Sequence, residues 1–187
     1  MRKVIWKAYY DYEKEENWLN EMSAKGLAMI SYSWCRYVFE ECQPNEYTYR
    51  IELLDNMVSH KISQKYIEFL EESGIQQVAS YMRWIYLRKK TNEGSFDVYT
   101  DIESKIEHNK KIFKFWLTFM IIEFGIGFSN ISIGLSTMVF NRGFLALVNF
   151  NLICGILLVL MGIHFLRLGL PIRKKIKNLE KEQLIRE

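Results

Sequence analysis

Two long apolar stretches, residues 115–139 and 144–166, constrain this chain more than any other feature. Each reaches the ~20 mostly apolar residues needed to cross a hydrocarbon core of about 30 Å. A short connection near 140–143 separates them, which predicts a transmembrane helical hairpin. Everything before residue 101 reads as a folded water-facing domain, residues 101–114 as a helical linker, and 167–187 as a basic tail.

Charge divides along the same line. Residues 1–111 carry 16 Lys/Arg against 18 Asp/Glu, and residues 112–187 carry 9 against 4. The basic excess belongs to the membrane flanks, so no nucleic-acid partner is expected; that would need a basic patch on the folded domain. Lys105, Lys110, Lys111 and Lys114 precede the first span, and Arg167, Arg173, Lys174, Lys175 and Lys177 follow the second, whereas the connection holds Arg142. The positive-inside rule then predicts a multi-pass protein of the cell membrane with both termini cytoplasmic. The basic run 173–177 reads as a topology anchor drawn to anionic lipid. No secretory leader is expected, because charges at Lys7, Asp11, Glu13 and Lys14 interrupt residues 1–20. Cys35, Cys42 and Cys154 have no metal-binding spacing; Cys154 falls inside the second span, and Cys35 and Cys42 are expected as free thiols.

The first hundred residues predict an α+β domain of two βαββ-like repeats. Residues 3–10 read as a strand and 13–25 as a helix with Asp11 as N-cap, acids in the first turn, and Gly26 as its stop. Strands follow near 27–32 and 35–41. Residues 46–53 alternate, with Tyr47, Tyr49, Ile51 and Leu53 on one face, as in a half-buried strand. A second helix at 59–73 ends at Gly74, and strands near 75–81 and 83–90 complete the second unit. A short strand at 96–100 is a further expectation.

Several segments in order resemble an uncharacterised family. They are Glu16-Asn17-Trp18-Leu19-Asn20-Glu21-Met22-Ser23-Ala24-Lys25-Gly26-Leu27, then Arg36-Tyr37-Val38-Phe39, Tyr47 with Tyr49-Arg50, Tyr66 to Gly74, and Tyr99-Thr100-Asp101. Together they are similar to a domain-of-unknown-function family of Gram-positive two-helix membrane proteins, often encoded beside PadR-like regulators. Leu27 departs from the tryptophan usual there. The resemblance implies a membrane location and a role in envelope or drug response, and it implies no chemistry.

Aromatic residues make up 15% of the chain. Trp34, Tyr37, Trp84 and Tyr86 are candidate walls of a cleft between the two halves, binding an apolar ligand, cations included, by stacking and cation–π contacts. Core packing in a small domain is the favoured alternative, since aromatic residues on strands need no ligand to explain them. Glu123 and Asn130 in the first span, with Asn149 and Asn151 in the second, form a candidate polar seam, either helix–helix glue or a signal path. Gly125, Ser129, Ser132 and Ser136 form a small-residue stripe, and Gly155 and Gly162 a second, which allow close approach within the hairpin or between protomers.

No nucleophile elbow, zinc-protease motif or phosphate loop is present, and no metal or cofactor is expected. The sequence therefore predicts a non-enzymatic, membrane-tethered sensor or adaptor that binds a lipophilic small molecule or a protein such as a regulator. The alternative is an accessory subunit whose hairpin packs against a transporter or other membrane protein. Membrane lipid is the expected surrounding, and a homo-oligomer is compatible with the stripes.

Overall fold

The computed structural model describes residues 2–94, 96, 101–140 and 150–186. Residues 97–100 of the expected last strand, the hairpin connection from 141, the first residues of the second span and Asn149 lie outside the described residues. The chain divides into two compact units, Met1–Thr100 and Asp101–Glu187.

The first unit is α+β, with two antiparallel three-stranded sheets. β1 (Arg2–Trp6), α1 (Tyr12–Ala24), β2 (Leu27–Ser33) and β3 (Arg36–Glu41) come first, and the first sheet has the order β1-β3-β2. β4 (Tyr47–Leu53), α2 (Lys61–Glu72), β5 (Gln76–Tyr81) and β6 (Trp84–Lys90) follow, and the second sheet has the order β4-β6-β5.

β1 is shorter than the expected 3–10. Its partner β3 begins at Arg36, opposite Trp6, so the ladder runs out there. The chain turns away, and Tyr9 packs on Trp18 with ring centroids 5.5 Å apart.

Local signals explain the boundaries. Asp11 caps α1, its Oδ1 accepting from the backbone N–H of Glu13 at 3.1 Å, which satisfies an otherwise orphaned donor. Gly26 and Gly74 terminate the two helices with φ of 75° and 79°, a left-handed conformation that a Cβ disfavours. At Gly26 a Cβ would also sit 3.0 Å from the Cys42 carbonyl. After α2, Gly74 N–H donates to Glu71 O and Ile75 N–H to Leu70 O, a complete Schellman closure. Two-residue turns join β2 to β3 and β5 to β6. Trp34 and Cys35 both have positive φ in the first, and Met82 has it in the second, matching the primed turns that suit twisted hairpins.

Two cores result. Leu19 and Met22 of α1 pack with Met29, Tyr37 and Phe39 of the first sheet and Tyr49, Ile51 and Tyr86 of the second. Ile67 and Leu70 of α2 pack with Ile85, Leu87 and Phe96. β6 is thus covered on both faces, its alternate residues serving different cores. β4 is likewise more enclosed than a half-buried strand: Glu52, expected to face water, is buried and accepts from the Tyr66 hydroxyl at 3.0 Å.

The second unit is a pair of long helices, α3 (Ile102–Phe140) and α4 (Phe150–Arg186). Both are long and apolar enough to cross a membrane, with only 11% and 17% of their apolar windows buried. Helices of a soluble core would bury such surface, so this exposure fits lipid contact. At 1.5 Å per residue, 39 residues extend roughly 58 Å, well beyond a bilayer core of about 30 Å. The polar ends pair with each other: Lys110 meets Glu180 at 2.9 Å, and Ile106, Ile112 and Ile176 are buried. The basic segment after residue 166 continues α4 as far as Arg186.

Candidate functional site

α1 carries two rows of functional side chains. The first row, Glu16, Asn20 and Ser23, lies along the open edge of β4. Glu16 Oε2 accepts from Ile51 N–H at 3.0 Å. Asn20 Oδ1 accepts from Tyr49 N–H at 2.7 Å, while its Nδ2 donates to Tyr49 O. Ser23 Oγ donates to Tyr47 O at 2.6 Å and accepts from Tyr47 N–H. β4 pairs with β6 on one side, so its other edge needs partners. Helical spacing at i, i+4 and i+7 supplies them.

The second row is Glu15, Trp18, Leu19 and Met22. Glu15 is 7% exposed. Its Oε1 accepts from the Tyr37 hydroxyl at 2.5 Å and the Tyr86 hydroxyl at 2.7 Å. Tyr37 stands on the central strand of the first sheet and Tyr86 on that of the second. Tyr32 lies between them, its centroid 4.7 Å from each. Trp18 meets Tyr37 edge-on at 4.8 Å, and Tyr12 lies 5.9 Å from Trp84. Together these residues form a carboxyl enclosed by aromatic rings from both sheets.

Burial raises the Glu15 carboxyl above its ordinary range, against the lowering effect of the two phenol hydrogen bonds. The Tyr37 and Tyr86 hydroxyls rise well above the usual tyrosine range, first through burial and then through the neighbouring Glu15 charge. Both phenols stay protonated at neutral pH and act as donors to Glu15. Tyr49 ties the sheets together beside this cluster: its hydroxyl accepts from Met29 N–H at 2.8 Å, and burial pushes its pKa up to about 12.

Of the four aromatic residues singled out by sequence, the structure brings Tyr37 and Tyr86 onto one carboxyl and sets Trp84, half-buried, beside Tyr12. Trp34 occupies a tight turn at the tip of the β2–β3 hairpin, 74% exposed, apart from that cluster. Glu15 escaped the sequence reading, which took it for a helix-dipole acid. Its spacing from Leu19 and Met22 carried the signal, since i, i+4 and i+7 place it on the apolar face.

In the helical pair, backbone approach centres on Gly127, Gly134 and Gly155, while Gly162 makes room for the Phe124 ring. A Cβ on Gly155 would lie 2.7 Å from Gly127 O, and one on Gly134 would lie 2.9 Å from Leu152 N. The stripe of Gly125, Ser129, Ser132 and Ser136 is exposed on the pair, and a Cβ on Gly125 would meet nothing within 4 Å. Asn130 Nδ2 donates to Ile126 O of its own helix. Asn151 is half-buried. Glu123 Oε2 is sealed from solvent without a hydrogen-bond partner.

Residues 11–121 match a family model, from the cap of α1 through both helix–sheet units and into α3. The chain belongs to the family described as Protein of unknown function (DUF2812). The DUF2812 match includes Glu15, Tyr32, Tyr37 and Tyr86, as well as the α1 row on β4. No curated protein and no solved structure matches the chain. Among the described residues, no group of three or more His, Cys, Asp or Glu is arranged to hold a metal, and the described cysteines carry free thiols.

Proposed function

We propose that this DUF2812 protein is a non-enzymatic, membrane-tethered sensor or adaptor whose α+β domain takes a lipophilic small molecule among the rings between its two sheets. The observation that carries this reading is Tyr32, packed at 4.7 Å against Tyr37 of one sheet and Tyr86 of the other. An aromatic cluster shared by two sheets changes when either sheet moves, so an occupant would bias their arrangement.

The two sheets are read as duplicated βαββ halves. Gly26 and Gly74 stand 48 residues apart. The register of each second strand slips at Ile30 and Val78, also 48 residues apart. Strand order within each half is the same. The hairpin of α3 and α4 is read as spanning the cell membrane, with both termini and the α+β domain on the cytoplasmic side, following the basic flanks.

The test uses the full chain in lipid nanodiscs. Tryptophan fluorescence is titrated with tetraphenylphosphonium, triphenylphosphine oxide and anilinonaphthalene sulfonate, with empty nanodiscs measuring partition into lipid. Saturable quenching by at least one probe, lost on Tyr32→Ala, is the expected result. Linear partition by all three would overturn the reading.

A second reading, an accessory subunit packed against another membrane protein, is favoured by the outward stripe of Gly125, Ser129, Ser132 and Ser136. Small residues on a lipid-facing surface permit a further helix to approach closely. A copy of the same chain or a transporter would fit that face.

A further inference from the structure

Resting on the ligand-binding reading above, we propose that the site selects a singly charged organic cation with an aromatic or branched apolar body, such as a lipophilic ammonium or phosphonium, and that Glu15 is its counter-charge.

The acids of the α+β domain are partnered unequally. Glu16 is paired with Arg50 at 3.2 Å. Glu52 has Tyr66 and further partners. Glu15 is as deeply buried as Glu52, and among the described residues no basic side chain pairs with it; its partners are two phenols, both on Oε1. Among the described residues the sealed, unpartnered side-chain oxygen is Glu123 Oε2. Both phenol bonds fall on Oε1, and among the described residues no donor is assigned to Glu15 Oε2. A buried carboxylate lacking a cation is a poorly compensated charge. The two phenols hold it in position, and neither supplies positive charge.

The surroundings define what can supply it. Half-buried Tyr32 and Trp18 pack over the buried Tyr37 and Tyr86, and aromatic rings favour an apolar body and attract a cation through their quadrupoles. The rings nearby already do this within the chain: Lys7 Nζ lies 4.8 Å from the centroids of both Tyr9 and Trp18. A hard divalent metal ion is a poor fit, because it needs six or more oxygen ligands and the phenol protons point at the carboxyl. A lipophilic anion would meet the carboxylate with like charge. One carboxylate matches one positive charge, so a polyamine would leave ammonium groups uncompensated.

The experiment compares three probes of similar bulk and different charge on the full chain in nanodiscs: tetraphenylphosphonium, neutral triphenylphosphine oxide and anionic tetraphenylborate. Binding is measured by equilibrium dialysis against empty nanodiscs. The expected result is at least about tenfold tighter binding of the cation than of the neutral probe, with no saturable binding of the anion. In Glu15→Gln, which keeps an oxygen acceptor for both phenols, the cation preference collapses to about unity while neutral binding persists. Glu13→Gln, on the exposed face of α1, retains the preference. Near-UV circular dichroism checks that Glu15→Gln stays folded. If it unfolds, the charge series on the unaltered chain still decides, since equal affinity for cation and neutral probe overturns the proposal. Undiminished cation preference in folded Glu15→Gln also overturns it, leaving the ligand-binding reading intact. Failure of every probe to saturate would overturn that underlying reading as well.

Discussion

Tyr86 of β6 donates to Glu15 of α1 at 2.7 Å across 71 positions of sequence. This bond fixes the first helix to the second sheet, and the matching bond from Tyr37 fixes it to the first. Glu15 is therefore a joint between the sheets as well as the centre of the aromatic cluster.

Removing one phenol should loosen that joint. Tyr86→Phe deletes a hydrogen bond to an ionisable buried group, which is worth about 1.5–3 kcal/mol. Because Tyr37 shares the same oxygen, Tyr37→Phe and Tyr86→Phe should not be additive. Urea unfolding of both single variants and the double variant, monitored by near-UV circular dichroism, measures the coupling. Strict additivity would mean the two bonds act independently.

The Glu15 carboxyl also predicts a pH signature. Its folded value lies above the ordinary 4.5 because of burial. As pH rises from 4.5 toward the raised folded value, the unfolded chain releases its proton first. The folded state then holds more protons, and stability falls with rising pH. This contribution is fully present below 4.5 and lost once pH passes the folded value. The stability difference between the native chain and Glu15→Gln should therefore slope downward through that window. An upward slope would indicate a stabilised carboxylate.

The α1 row on β4 should be equally measurable. Asn20→Ala leaves Tyr49 N–H and C=O without their partners on the open edge and should cost about 2 kcal/mol. The exposed neighbour Asn17→Ala should stay within about 0.5 kcal/mol of the native chain. Faster hydrogen exchange at Tyr49 and Ile51 in Asn20→Ala would locate the loss at the edge strand.

These contrasts indicate how much was legible beforehand. Strands with alternating apolar residues, helices ending at Gly26 and Gly74, and the Asp11 cap follow from local rules, and all occur. The clamp by Glu16, Asn20 and Ser23 was not legible, because it depends on β4 being an edge strand, a fact of topology rather than of spacing. Trp34 shows the opposite limit. Its aromatic character suggested a cleft, but the two-residue connection from Ser33 to Arg36 gives it a turn position facing water. In α3, Gly125 and Gly127 are two residues apart and so lie on nearly opposite sides of the helix. Composition could not say which one faces α4.

That choice of side predicts different outcomes for the two glycines. Gly155→Ala places a methyl group 2.7 Å from Gly127 O and from an Ile131 side-chain carbon, so the helices must separate. Gly125→Ala meets nothing within 4 Å. SDS titration in mixed micelles should show a lowered midpoint for Gly155→Ala and an unchanged one for Gly125→Ala. A change in oligomeric state confined to Gly125→Ala would instead support the accessory-subunit reading.

Glu123 supplies the last prediction. Its Oε2 is sealed without a partner, and an unsatisfied polar atom within a membrane-facing helical pair is destabilising. Glu123→Leu removes that atom and should raise the SDS-unfolding midpoint of the monomeric chain, by an amount on the order of 1 kcal/mol. Glu123→Gln keeps a polar group in the same place and should give no comparable gain. If Glu123→Leu instead lowers the stability of an isolated oligomer while leaving the monomer unchanged, the missing partner lies on a second helix pair. Chemical cross-linking of both variants in native membranes distinguishes these cases, because loss of a cross-linked species in Glu123→Leu alone would assign that partner to a neighbouring chain.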